Sequence, residues 1–140
     1  MLMPKKVKFR KVQKGTVKGR SKGARTLAFG EYGLTALTPV LLTAAQIEAM
    51  RVTLSRSMKK EGSFFLRVFP DKPVTKKPAE TRMGKGKGNV DSWVAVVKRE
   101  RIVCEIAGVN EKEAREILKK VSYKLPMRTR FIKKENMALA

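Results

Sequence analysis

The run Arg82-Met83-Gly84-Lys85-Gly86-Lys87-Gly88-Asn89 collects residue types suited to an anionic ligand. Its three glycines remove the Cβ atoms that hold a sugar-phosphate strand at a distance, and their N–H groups can form a concave anion site. Lys85 and Lys87 set point charges beside that backbone, while Arg82 adds a planar fork able to grip phosphate at two oxygens or to stack on a base. Met83 is apolar at the tip of this basic loop, open to an RNA contact or to plain exposure. Triphosphate chemistry does not fit. The pattern G-x-x-x-x-G-K-[ST] needs a hydroxyl after its lysine and a helix behind it, whereas Gly88 and Asn89 lead into a β-prone run. The dinucleotide pattern G-x-G-x-x-G is equally unmatched. Composition by itself leaves the loop between a phosphate cradle and a solvated charge run.

A second concentration of charge lies at the start of the chain. Residues 1–30 carry ten basic side chains, Lys5, Lys6, Lys8, Arg10, Lys11, Lys14, Lys18, Arg20, Lys22 and Arg25, and no acidic one. The whole sequence of 140 residues has 33 Lys and Arg against 12 Asp and Glu, a formal charge of +21. Such a chain repels itself unless a polyanion neutralises it. If all ten cations of this arm met phosphates of a single-strand-like RNA, the salt slope of binding would reach about −7, a ceiling. Phosphate contacts position without reading sequence, so specificity requires unstacked bases and shape. Phe9, embedded in charge, is a stacking candidate; Phe29 and Tyr32 read first as core aromatics, with stacking as the alternative.

Counting excludes other chemistry. The sequence has no His, which removes imidazole general-base catalysis and His-containing metal sites, and Cys104 stands alone, so neither an intrachain disulfide nor a cysteine zinc cluster can form. Asp71 and Asp91 read as turn or strand-end residues rather than metal ligands. The longest apolar stretch, Leu34 to Ala45, is broken by Thr and Pro and falls short of the ~20 residues that span a bilayer. The opening MLMPKKVKFRK lacks the apolar core of a signal peptide. A cytosolic setting is expected, with nucleic acid as the first partner and an acidic membrane surface as the second.

The elements that must carry these groups are legible in outline. The chain is long enough for one domain, with 42% apolar residues to build its core. Residues 1–26 read as an extended basic extension and 27–140 as a single α+β domain. The segment TLAFGEYGLTALT predicts a strand pair or one irregular strand, with Gly30 and Gly33 at bulges or close approaches. Thr43 and Gln46 form a capping box for a helix over 44–60, with Ile47, Met50, Leu54 and Met58 on its buried stripe and Gly62 as its stop. FFLRVF at 64–69 predicts a strand. NVDSWVAVV and RIVCEIA predict two more, joined by the polar turn Lys98–Glu100 and paired as a hairpin. Trp93 and Cys104 fall on their buried positions. Asn110 and Glu113 repeat the capping logic for a second helix with Ala114, Ile117, Leu118 and Val121 inward, ending before Pro126. MRTRFIK predicts a charged edge strand. The expected result is a two-layer sandwich, a mainly antiparallel sheet with two helices on one face.

Residues 70–89 remain as a long glycine-lysine loop. Pro70, Pro73 and Pro78 stiffen its stems, and a hairpin of half its residues would reach about 30 Å. Connections of this length in compact domains are either functional or disordered.

RVFPDKP at 67–73, RMGKGKGN at 82–89, the opening MLMPKKVKFRKVQKG and LTAAQIEAMR at 42–51 together resemble the bacterial large-subunit ribosomal protein L-sixteen family over essentially the whole chain. The resemblance implies a structural component of the large subunit, bound to 23S rRNA below the central protuberance and beside the path of aminoacyl-tRNA into the peptidyl-transferase centre. It implies that Arg82–Asn89 extend toward the tRNA acceptor arms and that the arm threads among rRNA helices. The partners implied are 23S rRNA, A-site tRNA with P-site tRNA as a further one, and neighbouring large-subunit proteins, with no cofactor, metal, membrane or homo-oligomer and no enzymatic activity. The rival reading is an assembly factor or RNA chaperone that does not stay in the mature particle.

Overall fold

The computed structural model describes residues 2–9, 11–12, 15–58, 62–76 and 89–134. Along them run β1 (Tyr32–Ala36), β2 (Val40–Thr43), α1 (Ala44–Met58), β3 (Ser63–Leu66), β4 (Lys72–Lys76), β5 (Asn89–Val97), β6 (Ile102–Ala107), α2 (Glu111–Ser122) and β7 (Thr129–Lys133). The strands form two antiparallel sheets, ordered β3-β6-β1-β7 and β2-β5-β4. Helix α1 packs on β3, β2 and β5, α2 packs on β1 and β7, and the helices pack on each other, which gives the expected α+β sandwich.

Both helices start where their caps predict. The Thr43 N–H donates to Gln46 Oε1 at 3.0 Å and the Gln46 N–H donates to Thr43 Oγ1 at 3.2 Å, a reciprocal capping box. The Glu113 N–H donates to Asn110 Oδ1 at 2.8 Å, which satisfies one orphan donor of the first turn of α2. The stripes predicted from spacing are the buried ones: Ile47, Met50, Leu54 and Met58 on α1, and Ala114, Ile117, Leu118 and Val121 on α2. Replacing Asn110 by Ala should cost about 1 kcal/mol. Its signature is a lower denaturant midpoint at an unchanged m-value.

The expected hairpin of β5 and β6 does not form. β5 pairs with β2 and β4, whereas β6 lies between β3 and β1 in the other sheet. Glu100, at a left-handed φ of 74°, turns the chain from one sheet to the other, and its N–H donates to Ala36 O at 2.7 Å. The physical reason is burial: Ile102 to Ile106 are all buried, so β6 needs cover on both faces and a strand on each edge. A second correction concerns the loop stem. Lys72–Lys76 form β4, pairing with β5 from Lys72↔Val94 to Lys76↔Asn89. Charge and Pro73 hide this strand in the sequence, yet both suit it, because β4 is an edge and proline removes a donor that an edge need not use.

Cys104 is fully buried on β6, and burial pushes its thiol up to about 12. It should therefore ignore a maleimide in the folded protein and react once denaturant unfolds the chain. Native-state labelling at a rate close to the denatured one would contradict this packing.

Candidate nucleic-acid interface

The four-stranded sheet has two unlike faces. Phe64, Leu66 and Val68 on the β3 line pack with Cys104 and Ile106 in the core beneath the helices. By the period of two, Phe65, Arg67 and Phe69 belong to the opposite face, together with Glu105, which pairs with Phe65 across the ladder. The end of the basic arm covers this outer face. Leu27 lies over Gly33, where a Cβ would stand 2.7 Å from its Cδ2 and from Cys104 O. Gly30 is as tight: a Cβ there would stand 2.6 Å from Ile106 O, so only glycine lets the arm's root lie flat on β6.

Glu105 holds that root. Its Oε1 accepts the consecutive backbone N–H groups of Ala28, Phe29 and Gly30 at 2.8, 3.0 and 3.1 Å, and its Oε2 pairs with Arg67 Nη1. Burial by itself raises the Glu105 carboxyl. The Arg67 hydrogen bond and the three N–H groups together outweigh it and hold the group below the usual carboxylate range. Arg67 also lies 5.2 Å from the centre of the Phe29 ring, which is 5.5 Å from Phe65. Further up the arm, Ala24 O accepts the Ile102 N–H at 2.7 Å, and the Ser21 N–H donates to Arg99 O at 2.9 Å in a bridge that pairs Arg20 with Arg99. Arg20 and Arg25 both reach Glu100, at 3.4 and 2.9 Å.

The residues expected to bind RNA are placed as follows. Lys5, Lys6, Lys8, Phe9, Lys11, Lys18, Arg20, Lys22 and Arg25 are exposed. Lys8 Nζ lies 5.6 Å from the centre of the Phe9 ring. Arg10, Lys14 and the loop residues Arg82, Met83, Gly84, Lys85, Gly86, Lys87 and Gly88 lie outside the described residues, and of Asn89 only the backbone is described, paired with Lys76 at the foot of the loop. Tyr32 stacks on Phe131 at 5.7 Å and packs against the core, as first read. Phe29 does not: it is 63% exposed, because its backbone is drawn to Glu105 and its ring to Arg67 on the outer face.

Helix α2 mixes Glu111, Glu113 and Glu116 with Lys112, Arg115, Lys119 and Lys120, whereas the arm carries cations and no carboxylate. Sequence reasoning missed Arg67, Lys98, Arg101 and Phe69 on the outer side, and missed Glu105 as the anchor. The available signal was a carboxylate between Cys104 and Ile106 in an otherwise apolar strand, a position that demands buried partners.

The family model described as ribosomal protein L16p/L10e matches residues 4–132. The large ribosomal subunit protein uL16 of Pseudothermotoga lettingae is 55% identical over 137 residues, covering 98% of this chain and 96% of that protein. The protein of the same description from Heliobacterium modesticaldum is 52% identical over 137 residues, covering 98% and 95%.

Proposed function

The chain belongs to the ribosomal protein L16p/L10e family, and we propose that, as a component of the large ribosomal subunit, it binds 23S rRNA through its arm and outer sheet face and helps position tRNA with the loop 82–89. Its work is structural and its setting is the cytoplasmic large subunit beside other ribosomal proteins. No helix among the described residues is long and apolar enough to cross a membrane. The observation that carries the RNA reading is an arm of ten cations without a carboxylate, whose root is clamped to the body by Glu105. Clamping matters because an arm with a fixed exit direction gives up less conformational freedom when it meets RNA than one hung on a loose joint.

In this reading Lys5, Lys6, Lys8, Arg10, Lys11, Lys14, Lys18 and Lys22 are the phosphate contacts, with Phe9 stacking among them. Arg20 and Arg25 share Glu100 and exchange that partner for phosphate only at the cost of an exposed ion pair, a small one. The β4/β5 ladder, closed at Lys76↔Asn89, fixes where the connecting residues leave the folded body.

The test is retention and contact in the particle. A tagged chain should remain stoichiometric with the large subunit through a high-salt wash, and photocrosslinkers at positions 18 and 87 should mark 23S rRNA, with position 87 also marking tRNA in A-site complexes. Loss of the chain in the wash points instead to an assembly factor. Crosslinks at 87 confined to rRNA would remove the tRNA role.

A further inference from the structure

We propose that the outer face of the four-stranded sheet is a stacking surface for unpaired RNA bases, with one base on Phe29 and a neighbouring nucleotide in the cleft beside Phe69. The proposal rests on the rRNA-binding reading and adds to it the groups that recognise base rather than phosphate.

Phe29 and Phe69 are 63% and 45% exposed, although a core lies directly beneath them. The Phe29 ring is held in place. The Arg67 guanidinium lies over the Phe29 ring, Phe65 stands beside it at a tilt of 33°, and Arg67 is in turn fixed by Glu105. A pre-positioned ring with a cation behind it presents an open π-face at little further entropic cost, which is what an unstacked base requires. The row continues past the end of β3. The Arg101 Nη2 donates to Arg67 O at 3.0 Å, and Arg101 lines a cleft of about 330 Å³ with Phe69, Lys98, Asp71 and Ser21. Arg101 Nε is buried with no acceptor among the described residues.

The chemistry of that cleft matches a nucleotide better than an apolar peptide. Phe69 supplies a stacking face and Lys98 and Arg101 supply charge for a phosphate. Asp71 supplies an acceptor for an exocyclic amino group. Exposed aromatic rings beside arginines are the means by which proteins stack the bases of single-stranded RNA.

Binding of the full chain to 23S rRNA across a salt series tests the proposal, with Phe29→Ala, Phe29→Tyr and Phe69→Ala beside the wild type. Phe29→Ala should weaken binding by about 5- to 100-fold at one salt concentration, with the slope against log salt unchanged because no phosphate contact is lost. Phe29→Tyr, which keeps the ring, should restore it, and Phe69→Ala should weaken binding independently. In large subunits carrying Phe29→Ala, base-specific chemical probes should find newly reactive unpaired nucleotides. Wild-type affinity and footprints in both alanine variants would overturn the stacking surface while leaving the rRNA reading intact, as would crosslinks from position 29 to a ribosomal protein alone. Absence of salt-sensitive rRNA binding by the wild type would overturn the underlying reading itself.

Discussion

A chain lacking residues 2–19 should bind 23S rRNA with a slope of log affinity against log salt shallower than that of the full chain by up to about 5. The deletion removes Lys5, Lys6, Lys8, Arg10, Lys11, Lys14 and Lys18, seven cations, and each phosphate contact on single-strand-like RNA contributes about 0.7 to the slope. Over a fourfold rise in salt that difference amounts to up to about 1,000-fold in affinity, so the two proteins diverge most at low salt and converge as screening takes over. The deletion removes Leu2, which packs against the core, but spares the Arg20–Arg99 bridge, the Ser21 and Ala24 hydrogen bonds and the three N–H groups held by Glu105, so the folded body should survive. A truncated chain that melts like the full one and keeps its salt slope would show that the arm is not the electrostatic contact.

Replacement of Glu105 by Ala should destabilise the body by about 3–5 kcal/mol, toward the lower end because Arg67 keeps some access to water. Two losses combine. Arg67 is left with its charge uncompensated at 19% side-chain exposure, and the N–H groups of Ala28, Phe29 and Gly30 lose their common acceptor. Against the 5–15 kcal/mol typical of a domain this is a large fraction, and it should appear as a lower unfolding midpoint in denaturant. Replacing Arg67 and Glu105 together by apolar residues should cost less than Glu105→Ala alone, since no lone charge remains.

The same anchor has a pH signature. The folded Glu105 carboxyl lies below its ordinary range, so the unfolded chain takes up its proton first as pH falls. Its stabilising contribution is complete above the ordinary carboxylate range and is lost as pH drops through the depressed folded value. Wild type should therefore lose more stability on acidification than Glu105→Gln, with the two curves approaching one another at low pH. Parallel curves would show that folding leaves the Glu105 carboxyl unshifted.

Much of this protein was written locally. The capping boxes at Thr43 and Asn110, the buried stripes of both helices, the burial of Cys104 and the close approaches at Gly30 and Gly33 follow from spacing and residue chemistry that a few consecutive residues contain. The charge of the arm is likewise a property of composition, as is the exclusion of histidine and cysteine chemistry. Period and capping say what an element is and which of its faces is apolar. They do not say which strand it will lie beside.

That choice belonged to the tertiary structure. β5 and β6 are neighbours in the chain and look like a hairpin, yet β6 reaches back about 70 residues to β1 because a strand buried on both faces is better satisfied at the centre of a sheet than at its edge. Phe29 has the composition of a core residue and became a surface one, since its backbone is bound to a carboxylate 76 residues away. Glu105 was invisible as an anchor for the same reason: its partners come from the arm and from Arg67 just beyond β3, segments that only folding brings together. Local sequence determined the elements and the charge they carry; the need to satisfy buried polar groups and cover both faces of one strand decided where that charge is displayed.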